Sequence, residues 1–295
     1  MSIGYYLVLM LLYPLSVLPD PVKWQFSRLI GFVLAHVVRY RRSVITTNLR
    51  NAFPEKDTAW LHRLMVDYYR HMGILFMEVI GQLSFSEAYF ERHVKITNLQ
   101  LLKDLHDSGR SVIVVMGHHG NWELAALLLA QSTPFESYAI YKPLSSQVAD
   151  RLFAKLRSRF RAGLVKMRDT SRHMLATRDR QQAVLFVSDQ TPLKSEASFW
   201  TTFLHQDTPV YLGAEKMAKK MNLPVVFLDM RRVKPGYYDV TFSLITDQPG
   251  ETTTHEITER HTAMLEESIR QQPETWLWSH RRWKHKRSEK DVSHG

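Results

Sequence analysis

The 295-residue sequence contains no cysteine, which excludes disulfide scaffolds, thiolate nucleophiles and cysteine metal sites and leaves the redox compartment open. It also lacks a G-x-S-x-G elbow, a G-x-G-x-x-G fingerprint and a G-x-x-x-x-G-K-[ST] loop, so serine-hydrolase, dinucleotide and P-loop chemistries have no support. No internal repeat, low-complexity tract or clear linker is present. Two absences of charge are more telling. Met1 to Pro19 carries no charged side chain, and Pro21 to Pro54 carries no Asp or Glu, although it holds Lys23, Arg28, Arg39, Arg41, Arg42 and Arg50.

The uncharged start, IGYYLVLMLLYPLSVL from Ile3 to Leu18, falls just short of the usual length of a membrane-spanning helix. It has neither the basic start nor the small-residue cleavage site of a signal peptide, so it is expected to be retained. The acid-free basic stretch that follows encloses a second apolar run, LIGFVLAHVV, and basic side chains flanking apolar runs are drawn to an anionic bilayer surface. The plainer reading is two buried helices of a soluble core. The charge pattern favours a membrane-anchoring helix over residues 1–20, with the rest of the chain in the cytoplasm by the positive-inside tendency.

With 39 Lys+Arg against 29 Asp+Glu, the net charge of +10 points to a polyanionic partner: nucleic acid, anionic lipid or a phosphorylated substrate. From about residue 55 the chain reads as globular. Helical periodicity runs through Glu91, after which β-rich segments starting at Val94, Ser111, Ser137, Ala183, Pro224 and Tyr237 alternate with helical ones. This predicts one α/β domain over residues 21–295, with a central mixed sheet flanked by helices and a basic helical N-terminal part. The basic tail from Arg281 to Gly295 is expected to fray at its end.

The most informative segment is GHHGNWE, Gly117 to Glu123. It follows the apolar run Val112 to Met116, which places His118 at the carboxyl end of a buried strand, where ligands of open α/β sheets bind. Gly120 or Asn121 can cap the next helix, with Glu123 in its first turn. His118 and Glu123 are then expected to converge, the imidazole taking a proton from an alcohol and the carboxylate holding its other nitrogen. His118, His119 and Glu123 also form a conceivable metal set, but adjacent His side chains usually diverge, so neither metal nor cofactor is expected. His255, Glu256 and His261 approach a zinc helix motif, but Glu259 stands where the second His is needed, and the segment reads as a solvated helix face.

Six ordered segments carry a resemblance over nearly the whole chain: the apolar start, NLRNAFPE from Asn48, HGNWE from His119, YKP from Tyr141, SDQTP from Ser188 and WLWSHRRWK from Trp276. Together they resemble the bacterial late acyltransferases of lipid A biosynthesis, whose His-x-x-x-x-Glu motif matches His118 and Glu123. The resemblance implies an O-acyltransferase with those two as its catalytic pair. It places a functional arginine at Arg157 and a functional aspartate at Asp189, with Asn121 beside them in substrate or oxyanion binding. It implies an acyl carrier protein thioester, or acyl-CoA, as donor and a phosphorylated lipid A precursor as acceptor, at the inner membrane. Lys142 stands where many members have Arg, and His119 where many have an aromatic or aliphatic residue.

Residue chemistry alone is less specific. Arg157 lies among Arg151, Lys155, Arg159 and Arg161, a cluster that reads as a solvated face or as a fork for a phosphate or oxyanion. Asp189 follows the strand AVLFVS and can orient an arginine, bind a hydroxyl or cap a turn. WLWSHRRWK, with three Trp and three Lys/Arg, suits a lipid-headgroup boundary or base stacking; the apolar start favours the former, so no nucleic-acid partner is expected. Two alternatives follow: an acyltransferase for another glycolipid, lysophospholipid or aminolipid, and a basic membrane-associated nucleic-acid binder with salt-sensitive affinity.

Overall fold

The computed structural model describes residues 3–194, 197 and 199–287; residues 288–295 of the tail expected to fray lie outside them. A seven-stranded sheet runs through the molecule in the order β1-β9-β8-β2-β5-β3-β4. Its strands are β1 (Val94–Thr97), β2 (Val112–Met116), β3 (Glu136–Tyr141), β4 (Gly163–Lys166), β5 (Gln182–Val187), β8 (Val225–Lys234) and β9 (Tyr237–Thr246). Neighbours pair in parallel except β8 with β9. A separate antiparallel hairpin joins β6 (Trp200–Phe203) to β7 (Gln206–Pro209). The α/β class with a mixed sheet is as the sequence predicts. The expected strand list lacks β4, β6 and β7, which are only four residues each and carry no long apolar run.

Strand β2 is buried along its whole length, and its alternate residues serve two cores. Ile113 and Val115 face a layer that includes Ile45 and Leu49 of α3 (Arg42–Ala52), Tyr68 and Tyr69 of α4 (Thr58–Gly81), and Ile257 of α11 (Glu256–Gln271). Val112, Val114 and Met116 face α6 (Leu99–Asp107) and α7 (Trp122–Ser132). Leu124 to Ala130 are all buried, so α7 is apolar all round and belongs in the interior. This sandwich fixes the height at which β2 ends, and with it the height of the loop that carries His118.

The first two helices pack on α4 and leave apolar side chains exposed on their other sides. In α1 (Ile3–Ser16), Ile3, Leu7, Met10, Leu11 and Tyr13 are more than half exposed, as are Leu29, Phe32, Val37 and Val38 in α2 (Asp20–Phe32) and the π-helical turn and residue after it. Among the described residues no helix is long and apolar enough to cross a membrane. Arg28, Arg39, Arg41, Arg42 and Arg50 are exposed, whereas Lys23 is buried against Asp20 and the Phe85 ring.

Helix α2 is held to α4 by a close crossing of small residues. A Cβ on Gly73 would lie 2.1 Å from the Ser27 carbonyl oxygen, and one on Gly31 would lie 2.8 Å from that of Tyr69. A methyl at position 73 must therefore push backbone apart. Gly73→Ala should destabilise the protein by about 1–3 kcal/mol, the range for overpacking, whereas Gly213→Ala, whose Cβ meets nothing within 4 Å, should stay within about 0.5 kcal/mol. Thermal melts of the two variants check this, and equal melting temperatures would contradict the close crossing.

Candidate active site

The loop after β2 turns sharply at Gly120, whose φ is +65° and whose missing Cβ would lie 2.3 Å from the Met230 carbonyl oxygen. Only glycine satisfies both conditions. The loop is stitched to the C-terminal segment: Leu277 N donates to His118 O at 3.1 Å and Gly120 N to Thr275 O at 3.2 Å. His118 and His119 diverge. The His118 ring reaches the surface with 15% of its side chain exposed, while His119 turns inward to Thr275 Oγ1 and Gln272 O.

The carboxylate that meets His118 is Asp189, not Glu123. His118 Nδ1 lies 2.5 Å from Asp189 Oδ1, and the His118 backbone N–H donates to Oδ2 at 2.9 Å. Trp276 Nε1 also donates to Oδ2, at 2.7 Å. Burial opposes ionisation of Asp189, but the facing His118 charge and these hydrogen bonds outweigh it and hold the carboxyl well below the usual range. With Nδ1–H given to Asp189, His118 Nε2 is left as an acceptor. The Gln190 amide stands there, its Nε2 3.1 Å from His118 Nε2.

Glu123 takes Arg157 instead. Arg157, the last residue of α8 (Gln147–Arg157), donates from Nε to Glu123 Oε2 at 2.7 Å and from Nη2 to Oε1 at 2.6 Å. This bidentate pair is mostly buried, with side-chain exposures of 22% and 9%, so Arg157 lies neither on a solvated face nor unneutralised for an anion. Its neighbour Arg159 donates to the carbonyls of Gln82 and Phe85. Trp122 links the two pairs: its Nε1 donates to Glu123 Oε1 at 3.2 Å, and its ring packs on the His118 ring with centroids 5.1 Å apart. The geometric reason is the chain's path. Gly120 redirects the backbone before α7 begins, which aims Glu123 across α7 toward α8.

Asn121 does not face the substrate side. It is 0% exposed, and its Nδ2 donates to Glu78 Oε2 at 2.7 Å. Glu78 also accepts from Tyr238 Oη at 2.6 Å and Gly236 N at 2.8 Å, and burial pushes its carboxyl pKa up. This network braces the loop from behind. Sequence reasoning missed Glu78 because it sits in the last turn of α4 among apolar residues; a lone acid at such a position was the available signal.

The WLWSHRRWK segment is a strap beneath the site rather than a lipid-headgroup boundary. Trp276, Trp278 and Arg282 are 2% exposed or less. Asn48 Nδ2 donates to the carbonyls of Trp278 at 2.8 Å and His280 at 2.9 Å, and Thr191 N donates to His280 Nε2 at 3.2 Å. Burial lowers the His280 pKa to about 4, consistent with a neutral ring that accepts. Three sequence-distant motifs therefore meet through one strap. The His261 face of α11 is likewise buried rather than solvated, with Ile257, Thr258 and Leu265 around it, while Glu259 is exposed.

The family model of the bacterial lipid A biosynthesis acyltransferases matches residues 1–285. The chain is 24% identical over 283 residues to a lipid A biosynthesis acyltransferase of Haemophilus influenzae, covering 94% of this chain and 88% of that protein. It is 21% identical over 273 residues to a lipid A biosynthesis lauroyltransferase of Escherichia coli, covering 90% and 87%.

Proposed function

The chain belongs to the family of bacterial lipid A biosynthesis acyltransferases, and on that premise we propose that it moves a fatty acyl group from a thioester to a hydroxyl of a lipid A precursor, with His118 as general base. The observation that carries the reading is the His118–Asp189 contact, which leaves Nε2, beside the Gln190 amide, as an acceptor. The acceptor hydroxyl gives its proton to His118 Nε2 while its oxygen attacks the thioester carbonyl. The imidazolium that results is stabilised by Asp189. The tetrahedral oxyanion then collapses, the C–S bond breaks, and the thiolate takes the proton back from the imidazolium to leave as a thiol.

Within this scheme Asp189 takes the orienting role that sequence spacing had assigned to Glu123. The Glu123–Arg157 pair shapes the wall of the site and holds the Trp122 indole, a task separate from the proton transfer at His118. Gln190 is placed to hydrogen-bond the oxyanion once substrate displaces it from Nε2. Asn121 and Asp189 are too buried to bind substrate directly. The donor we favour is an acyl carrier protein thioester, whose acidic surface would suit a protein of net charge +10; acyl-CoA is the smaller alternative.

His118→Ala should lower turnover by roughly 10²-fold or more while the protein stays folded, in line with the size of general-base contributions. Mass spectrometry of the acylated lipid formed from a defined thioester and acceptor reads this directly. Wild-type turnover in a folded His118→Ala protein would remove the mechanism.

We also propose that α1 and α2 lie in the surface of the cytoplasmic membrane without crossing it, the catalytic domain facing the cytoplasm. Their exposed apolar side chains, with Arg28, Arg39 and Arg42 nearby, support this. Helix α1 also touches the helix that delivers Arg157: the Arg151 guanidinium lies 4.3 Å from the Tyr5 ring centroid. Removing residues 1–19 should lower flotation with vesicles of anionic phospholipid, and salt should release the truncated protein more readily than the intact one, because screening weakens only the electrostatic part. An intact protein that stays at the bottom of the gradient with such vesicles would contradict the attachment.

A further inference from the structure

The C-terminal strap contains a cation that the chemistry above does not use. Arg282 is 2% exposed. Its Nη2 donates to Pro209 O at 2.7 Å, while Nε and Nη1 have no hydrogen-bond partner among the described residues. Burial lowers its pKa to about 10, so it remains charged at neutral pH. A charged guanidinium with unmet donors is costly in an interior unless an anion or a water answers it.

What Arg282 borders is specific. It lines a cavity of about 10 Å³, room for about one water, together with Ser188, Asp189 and His261. The remaining wall is largely apolar, including Met116, Phe203 and Leu265. His261 Nε2 also has no partner among the described residues, and burial lowers that ring's pKa to about 4, so it is neutral. Asp189 has three of its roughly four acceptor positions filled, two by His118 and one by Trp276. One acceptor position is left for a group in the cavity.

We propose that Arg282 is a positioning residue for His118, acting through Asp189 by way of a single water in this cavity. The inference rests on the reading of His118 as the base. A fixed positive charge behind the carboxylate lessens the pull of Asp189 on the imidazolium. His118 then sheds its proton to solvent at a lower pH and is available as a base over a wider range.

The other charged and titratable groups around this chain do not supply the same field. His119 and the Glu123–Arg157 pair face it from the β2 loop, α7 and α8, and Arg157 is neutralised by Glu123. Tyr211 approaches from just ahead of α10 (Gly213–Met221) and His261 from α11. From the strap come His280, whose pKa is lowered to about 4, and Lys284, which is exposed and screened.

The test is the pH dependence of kcat/KM for wild type, Arg282→Met and Arg282→Lys, with His118→Ala alongside. Loss of the charge in Arg282→Met should move the acid limb up by about 0.5–1 pH unit, and Arg282→Lys should restore it to within about 0.2 unit. A merely structural Arg282 would lower activity at every pH and leave the limb in place. An unmoved limb in Arg282→Met, or a limb moved equally far in Arg282→Lys, overturns the proposal. If neither variant folds, a crystal structure of the wild type decides. A water within hydrogen-bond distance of both Arg282 and Asp189 supports the role, and a guanidinium turned away from the cavity, or a cavity filled by side chains, overturns it. Full activity in His118→Ala would instead sink the base itself, whatever Arg282 does.

Discussion

A buried carboxylate that must stay ionised is the constraint around which this molecule is arranged. Asp189 leaves the end of β5 with 7% of its surface exposed. An isolated charge there would cost several kcal/mol, so the fold surrounds it with donors. Two come from His118, which requires β2 and β5 to end level with each other, and their parallel register from Val112↔Ala183 to Met116↔Val187 provides that. The third comes from Trp276, which requires the C-terminal strap to pass under the sheet ends. Asn48, Tyr68 and Thr191 hold the strap in place. Helices far from the site thus contribute to the orientation of one imidazole.

The sheet was legible in the sequence wherever a strand is buried on both faces, because such strands read as continuous apolar runs. VIVVM at β2 and QAVLFV at β5 are of this kind. The short hairpin β6–β7 was not, since its Trp-Thr-Thr-Phe and Gln-Asp-Thr-Pro segments pair locally without an apolar run. In the site, His118 was legible from its position at a strand end. Its partner was misassigned because proximity in sequence stood in for proximity in space. Glu123 is five positions away, but the turn at Gly120 and the start of α7 aim it at Arg157. Asp189 is 71 positions away and became a candidate only as a polar residue closing an apolar strand.

The net charge of +10 turns out to be divided among different tasks. Arg157 and Arg159 are spent internally, on a carboxylate and on backbone carbonyls. Lys23 and Arg282 are buried. Of the exposed remainder, Arg28, Arg39, Arg41 and Arg42 flank in sequence the exposed apolar side chains of α2 and the turn after it, and the others are spread along the chain. Composition alone reported the sum and could not separate these roles; burial does.

In the proposed mechanism Asp189, rather than Glu123, is the carboxylate that works through His118. Double-mutant cycles on kcat/KM test it most directly, pairing His118→Ala once with Asp189→Asn and once with Glu123→Gln. Asp189→Asn should cost little more once His118 is gone, because both serve one proton transfer, whereas Glu123→Gln should keep a separate cost in the His118→Ala background. Strong coupling of His118 to Glu123, with Asp189→Asn adding its full loss independently, would contradict it.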